Sequence, residues 1–187
     1  MNNPPARGAV FLDRDGTLNV EIDEVLVPER VTLIEGAGEA VRAINEAGLL
    51  AILVTNQAVI ARGECDEEDL ERVHASLREL LARDGGYLDA IYYCPHHPDY
   101  TGSCNCRKPA PGLIWRALED FNIDLNRCWV VGDSVKDVQL AKAVGVSAAL
   151  VRTGKGGSDL GPEDCPDRVF ESVRDAAGFI TERVLTR

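Results

Sequence analysis

No apolar run in the 187-residue sequence approaches the ~20 residues needed to span a bilayer, and no internal repeat is visible. Positive charge is also in short supply. Lys and Arg number 20 against 31 Asp and Glu, a formal charge of −11, which excludes a uniformly basic nucleic-acid surface. An anionic ligand would therefore have to be held locally. The stretch from Met1 to Gly8 carries one Arg and no apolar segment, so no secretory leader is expected. The chain is expected to act in the cytoplasm, off the membrane and without nucleic acid, as a monomer or a small homo-oligomer. What is present, 45% hydrophobic and 27% charged residues, is the composition of a folded soluble protein. The length fits one domain, residues 1–187, with a sizeable core.

Six cysteines in a reducing compartment do not read as three disulfides. Cys65, Cys128 and Cys165 are scattered and read as small buried or surface thiols. Cys94, Cys104 and Cys106 crowd into thirteen residues.

Short apolar runs alternate with helical patterns, which predicts an α/β fold built on a doubly wound, mostly parallel sheet. Strands are expected over Gly8–Leu12, Leu49–Thr55, Leu88–Cys94, Cys128–Val131 and Val146–Val151. Leu70, Val73, Leu77, Leu80 and Leu81 mark one face of a crossover helix opened by the acidic run Asp66–Asp69. On that helix His74 reads as a surface imidazole. Gly36–Ala47, Pro111–Phe121 and Lys136–Val144 read as further helices, with Gly48 and Gly145 as stops. Gly154–Asp164 reads as a surface loop before a last helix over about Glu171–Val184.

In an open α/β sheet the ligand site lies at the carboxyl ends of the strands. The residues there are polar throughout: Asp13-Arg14-Asp15-Gly16-Thr17, Thr55-Asn56-Gln57, Arg107-Lys108-Pro109 and Gly132-Asp133-Ser134-Val135-Lys136-Asp137. Each alone could be an ordinary turn. Together, carboxylates converging at one point require a cation, and hard oxygen ligands with partial hydration suit Mg²⁺. Thr55, Asn56 and Lys108 then supply donors for an anion beside that metal, as a phosphoryl group would be. One carboxylate can act as a covalent nucleophile and a second, two residues on, as general acid and base.

These four ordered segments resemble the motifs of the haloacid dehalogenase superfamily phosphatases, over nearly the whole chain. The resemblance implies that Asp13 attacks phosphorus to form a phosphoaspartyl intermediate, while Asp15 protonates the leaving alkoxide and later activates water. Thr55 and Lys108 would stabilise the phosphoryl oxygens. Mg²⁺ would be held by Asp13, Asp133 and the backbone carbonyl of Asp15. Asp137 either orients Lys108 or is simply a charge at a helix N-terminus. Asp13 to Thr55 is 42 residues and Thr55 to Lys108 is 53, too few for the inserted cap domains of many superfamily members. A capless, open site follows.

The segment 94–106 offers Cys94, Cys104, Cys106 and an imidazole as Cys-x-His and Cys-x-Cys pairs. Four soft ligands suit a closed structural Zn²⁺ site. His96 is favoured because its spacing mirrors Cys-x-Cys, with His97 the alternative. Such a zinc loop would position Arg107 and Lys108. With Ile60-Ala61-Arg62-Gly63 and Tyr92-Tyr93-Cys94-Pro95-His96-His97-Pro98, it resembles the heptose-1,7-bisphosphate 7-phosphatases more than the related histidinol-phosphate phosphatases. Two departures keep the histidinol group as an alternative: Ala58-Val59 stands where the heptose group usually has Ser-Gly, and the stretch from His96 to Cys104 is short. A sugar bisphosphate implies a second anion site, for which Arg107 is the leading candidate, then Arg62, with Lys136 either serving the distal phosphate or starting a helix. Glu21, Asp23 and Glu24 could accept from sugar hydroxyls, and Ser134 flanks the metal ligand. A non-enzymatic receiver-like or zinc interaction module is the rival class, against which Asp15 counts, since a phosphate-holding switch needs no leaving-group acid.

Overall fold

The computed structural model describes residues 5–22 and 27–185. Six strands, β1 (Ala9–Leu12), β2 (Leu50–Asn56), β3 (Ala90–Cys94), β4 (Trp129–Gly132), β5 (Ser147–Val151) and β6 (Arg168–Phe170), form one sheet. Their order is β3-β2-β1-β4-β5-β6 and every pairing is parallel. The order reverses between β1 and β4, and that crevice is where such sheets bind ligands.

Parallel strands joined by helical crossovers are covered on both faces, which is why β1 and β2 read as continuous apolar runs. Alternate residues divide between two cores. Val10, Leu12, Ala51 and Leu53 face α1 (Ala37–Glu46), α2 (Glu67–Arg83) and α6 (Val173–Leu185). Phe11, Leu50, Ile52 and Val54 face α4 (Gly112–Asp120) and α5 (Val135–Val144). Helix α2 starts at Asp66, whose side chain accepts from Asp69 N–H at 2.8 Å while Asp69 accepts from Asp66 N–H at 3.1 Å. Gly145 ends α5 at φ 80° and Gly48 follows α1 at φ 75°, as their positions predicted. Between β1 and β2 the described residues form only a 3₁₀ turn (Pro28–Arg30) and α1, and between β2 and β3 only α2 is helical. Among the described residues no inserted cap domain covers the strand ends. No helix among the described residues is long and apolar enough to cross a membrane.

Three features differ from the sequence expectation. His74 is not at the surface but wholly buried, because position 74 falls on the same stripe as Leu70, Val73, Leu77 and Leu81. β6 is only three residues, too short to show a period. Within the segment 94–106, Pro98–Thr101 forms a single helical turn, α3.

Candidate active site

Asp13, Asp15, Thr55, Asn56, Lys108, Asp133 and Ser134, from four separate stretches of chain, line one cleft of about 110 Å³ with Glu21, Lys136 and Lys155. The convergence follows from topology: β1, β2 and β4 are neighbours and all end at the same edge.

Lys108 is the hub. Its buried Nζ lies 2.8 Å from Asp13 Oδ1 and 2.7 Å from Asp137 Oδ1. Burial alone would discharge the amine, but the two carboxylates outweigh it and hold the ammonium charged. Asp137 spends its other oxygen on Ser134, accepting from Ser134 N–H at 3.2 Å and from the hydroxyl at 2.8 Å. This arrangement makes Asp137 a support for Lys108.

Carboxylate oxygens of Asp13, Asp133 and Asp137 lie within 4.8 Å of one another. Burial, with Asp137 and Asp15 nearby, pushes the Asp13 carboxyl up to about 7 against the pull of Lys108. Burial, with Asp137 and Glu21, pushes Asp133 up to about 6. Both shifts mark a shortage of positive charge that a divalent cation would relieve. Asp13 Oδ1 already accepts from Lys108 Nζ and from Arg14 N–H at 2.7 Å, and Asp133 Oδ2 accepts from Lys155 N–H at 2.7 Å. One oxygen on each has no donor and remains for a metal, whereas both oxygens of Asp137 are engaged by Lys108 and Ser134. The residues fit a Mg²⁺ held by Asp13 and Asp133.

Asp15 is half-buried, and its carboxyl is held below the ordinary range: desolvation raises it, and the Arg14 charge with donors from Asn19, Arg14 and Gln57 overcomes this. Thr55 Oγ1 accepts from Gln57 Nε2 at 2.9 Å, which leaves its own O–H free as a donor.

Several expected substrate contacts are arranged otherwise. Asn56 does not aim its amide into the cleft: Nδ2 donates to Lys108 O at 3.1 Å and Oδ1 accepts from Lys108 N–H at 2.9 Å. The Ser134 hydroxyl is committed to Asp137. Arg107 is turned toward the cysteine loop, donating to His96 O at 2.9 Å, though its charge is felt at Lys136, where burial and the cations Lys155, Arg107 and Lys108 lower the amine. Arg62 pairs with Glu64 at 2.8 Å and does not line the cleft. Glu21 does line it, whereas Asp23 and Glu24 lie outside the described residues.

The loop after β5, read from sequence as surface, is part of the site. Thr153 Oγ1 donates to Gly16 O at 2.7 Å, Gly157 N–H donates to Asp133 O at 2.8 Å, and Lys155 reaches the cleft. Gly154 (φ 58°) and Gly16 (φ 80°) sit so close that a Cβ on either would come within 2.2 Å of Asp133 Oδ2. The strand-end rule, applied to the fifth strand as to the others, would have found Lys155.

Cys94, His96, Cys104 and Cys106 cluster with donor atoms 3.2–3.8 Å apart. Tetrahedral zinc with bonds of about 2.0–2.3 Å requires edges of roughly 3.5–3.8 Å, so the four atoms fit one Zn²⁺. His97 is elsewhere: its Nδ1 accepts from Asp99 N–H at 3.3 Å at the start of α3.

Residues 105–176 match the model of the HAD-hydrolase-like family. A D-glycero-beta-D-manno-heptose-1,7-bisphosphate 7-phosphatase of Pseudomonas aeruginosa is 42% identical over 157 residues, covering 83% of this chain and 87% of that protein. The chain belongs to this family. The Yersinia pestis member is 40% identical over 94% of this chain and 96% of its own. Among solved structures, the D,D-heptose 1.7-bisphosphate phosphatase of B. bronchiseptica, complexed with magnesium and phosphate, superposes with a TM-score of 0.86 at 35% identity, over 94% of this chain and 99% of that one. Family membership makes this chain a phosphatase of haloacid dehalogenase type, and the fold is the one the motifs implied.

Proposed function

We propose that this protein removes the 7-phosphate of D-glycero-beta-D-manno-heptose 1,7-bisphosphate in the cytoplasm, leaving the heptose 1-phosphate. The observation that carries the chemistry is the Lys108 ammonium bridging Asp13 and Asp137 beside Asp133, with Asp15 two residues from Asp13 in the same cleft. The named activity of relatives at about 40% identity over nearly their full length supports the substrate.

Asp13 attacks phosphorus, and the bond from phosphorus to the sugar oxygen breaks. The departing oxygen takes a proton from Asp15. In the second half, Asp15 takes a proton from water as that water attacks the phosphoaspartyl group, releasing phosphate and restoring Asp13. Lys108 and the Thr55 hydroxyl stabilise the charge on the phosphoryl oxygens. Asp13, Asp133 and the Asp15 carbonyl would hold Mg²⁺, which would supply charge neutralisation at the phosphoryl group. Arg107, Lys136 and Lys155 give the cleft the positive potential a second phosphate needs, and Glu21 can accept from a sugar hydroxyl. Cys94, His96, Cys104 and Cys106 would hold a Zn²⁺ that would fix the loop carrying Arg107 and Lys108.

Phosphate release is to be measured on both anomers of the heptose bisphosphate and on histidinol phosphate, with and without Mg²⁺. The beta anomer should give the highest kcat/KM, and only with metal. A clear preference for histidinol phosphate would overturn the substrate assignment. Asp13→Asn should abolish release, and unchanged release would remove Asp13 from the mechanism.

A further inference from the structure

Arg14 is 1% exposed, among the largest fully buried side chains of the protein. A buried guanidinium is costly unless it is paired and hydrogen-bonded, so its partner is informative. Although Arg14 sits between Asp13 and Asp15 in sequence, among the described residues its side chain pairs with Asp15 alone: Nε donates to Oδ1 at 3.1 Å and Nη2 lies 2.9 Å from Oδ2. One hydrogen bond and one ion-pair contact, from the same planar guanidinium to the two oxygens of one carboxylate, restrict both its position and its plane. Gln57, 3% exposed, adds a donor to Asp15 Oδ2 at 3.0 Å and ties that oxygen to Thr55 Oγ1 at 2.9 Å through the same nitrogen. Asn19 Nδ2 donates to Oδ1 at 3.0 Å.

Asp15 lines the cleft; Arg14, Gln57 and Asn19 do not. Whatever they contribute to the reaction must therefore pass through Asp15. A group that moves a proton onto a departing alkoxide has to meet that oxygen at hydrogen-bond distance and angle, and errors of about 1 Å can cost on the order of 10²-fold. A single-bonded carboxylate on a short side chain could rotate out of line; one gripped by a planar fork on one side and an amide on the other cannot.

We propose that Arg14 and Gln57 are positioning residues that hold the Asp15 carboxylate in line with the leaving-group oxygen. The proposal rests on the reading of Asp15 as the leaving-group acid. Asp15 passes its proton to the sugar oxygen as the P–O bond breaks, and the carboxylate so formed is received by N–H donors already in place. Lysine at position 14 keeps the charge but has no fork.

The test compares kcat/KM on the heptose bisphosphate, whose alkoxide needs a proton, with p-nitrophenyl phosphate, whose phenolate leaves without one. kcat/KM reports the steps up to phosphoenzyme formation, where the leaving group departs. Mg²⁺-loaded wild type, Arg14→Lys, Gln57→Leu and Asp15→Asn are measured side by side. Arg14→Lys and Gln57→Leu should each lose roughly tenfold or more on the sugar bisphosphate relative to the aryl phosphate, with an unaltered Mg²⁺ requirement. An equal loss on both substrates, or no loss, overturns the proposal. Should Arg14→Lys fail to fold, the ratio in Gln57→Leu decides by the same criterion. Asp15→Asn separates the two levels: if it shows the split and the positioning variants do not, only this proposal fails, and if it shows none, the acid–base reading fails and the proposal with it.

Discussion

Asn56 clasps the main chain of Lys108 with both ends of its amide, at 2.9 Å to the N–H and 3.1 Å to the carbonyl. The end of β2 thereby fixes the residue whose ammonium bridges Asp13 and Asp137. Asn56→Leu removes both bonds at similar volume and leaves two partly buried backbone groups unpaired, costing about 1–3 kcal/mol of stability. Displacing Lys108 should lower kcat by roughly 10²-fold while the Mg²⁺ affinity stays near wild type. Denaturant unfolding and a Mg²⁺ titration of activity check the two halves.

The metal site makes a prediction with a definite sign. Asp13 and Asp133 ordinarily titrate near 3.8 and are pushed up to about 7 and about 6. Folding of the metal-free protein therefore takes up protons in that window, and the stability these groups contribute, fully present below pH 4 or so, is lost as pH rises through 6 and 7. Mg²⁺ binding must release those protons, so its stabilising effect grows with pH. Melting curves with and without Mg²⁺ should show a larger Tm increment at pH 8 than at pH 5; an equal increment would refute the assignment of these carboxylates.

His74 acts in the opposite direction. Burial, with Arg14 and Arg78, lowers the imidazole from 6.5 to about 3 against the pull of Asp15, and neither ring nitrogen has a hydrogen-bond partner among the described residues. Between those values the unfolded chain binds a proton that the native protein refuses, so stability falls as pH drops below the ordinary value. From pH 6.5 to 5 the loss is roughly 2 kcal/mol for this one group. His74→Phe should reduce the acid slope of the stability curve, measured by urea unfolding at each pH.

Purified protein should contain about one zinc per chain. Cys104→Ser should lower the zinc content and the Tm. Because Cys106 is followed directly by Arg107 and Lys108, and Arg107 donates to His96 O, kcat should fall as well. Full activity in a zinc-free, folded variant would sever the link between the loop and the site.

Much of this was legible in the sequence because parallel strands announce themselves as apolar runs and their ends carry the chemistry. The five longer strands and their crossover helices were placed to within about two residues, and Asp13, Thr55, Lys108 and Asp133 were expected together because each follows a strand or loop that topology sends to one edge. The cysteine and histidine spacing pointed at one tetrahedral cluster and preferred His96, which is the imidazole found there. Glycines 48 and 145 ended helices because φ near 80° there suits a residue without a Cβ.

What chain order could not supply was the partner each polar group would choose. Asn56, Ser134, Arg107 and Arg62 read as substrate contacts, and within the protein they also hydrogen-bond Lys108, Asp137, His96 and Glu64, since a buried or half-buried donor takes the nearest acceptor that packing offers. Arg14 and Gln57 lay inside the motifs without a role until the fold put their donors around Asp15. The loop after β5 looked like solvent-exposed Gly and Pro until β5, paired to β4, brought Lys155 and Gly154 against Asp133. The sequence determined which groups and which edge; distances between elements far apart in the chain, which only the packed sheet decides, determined who holds whom.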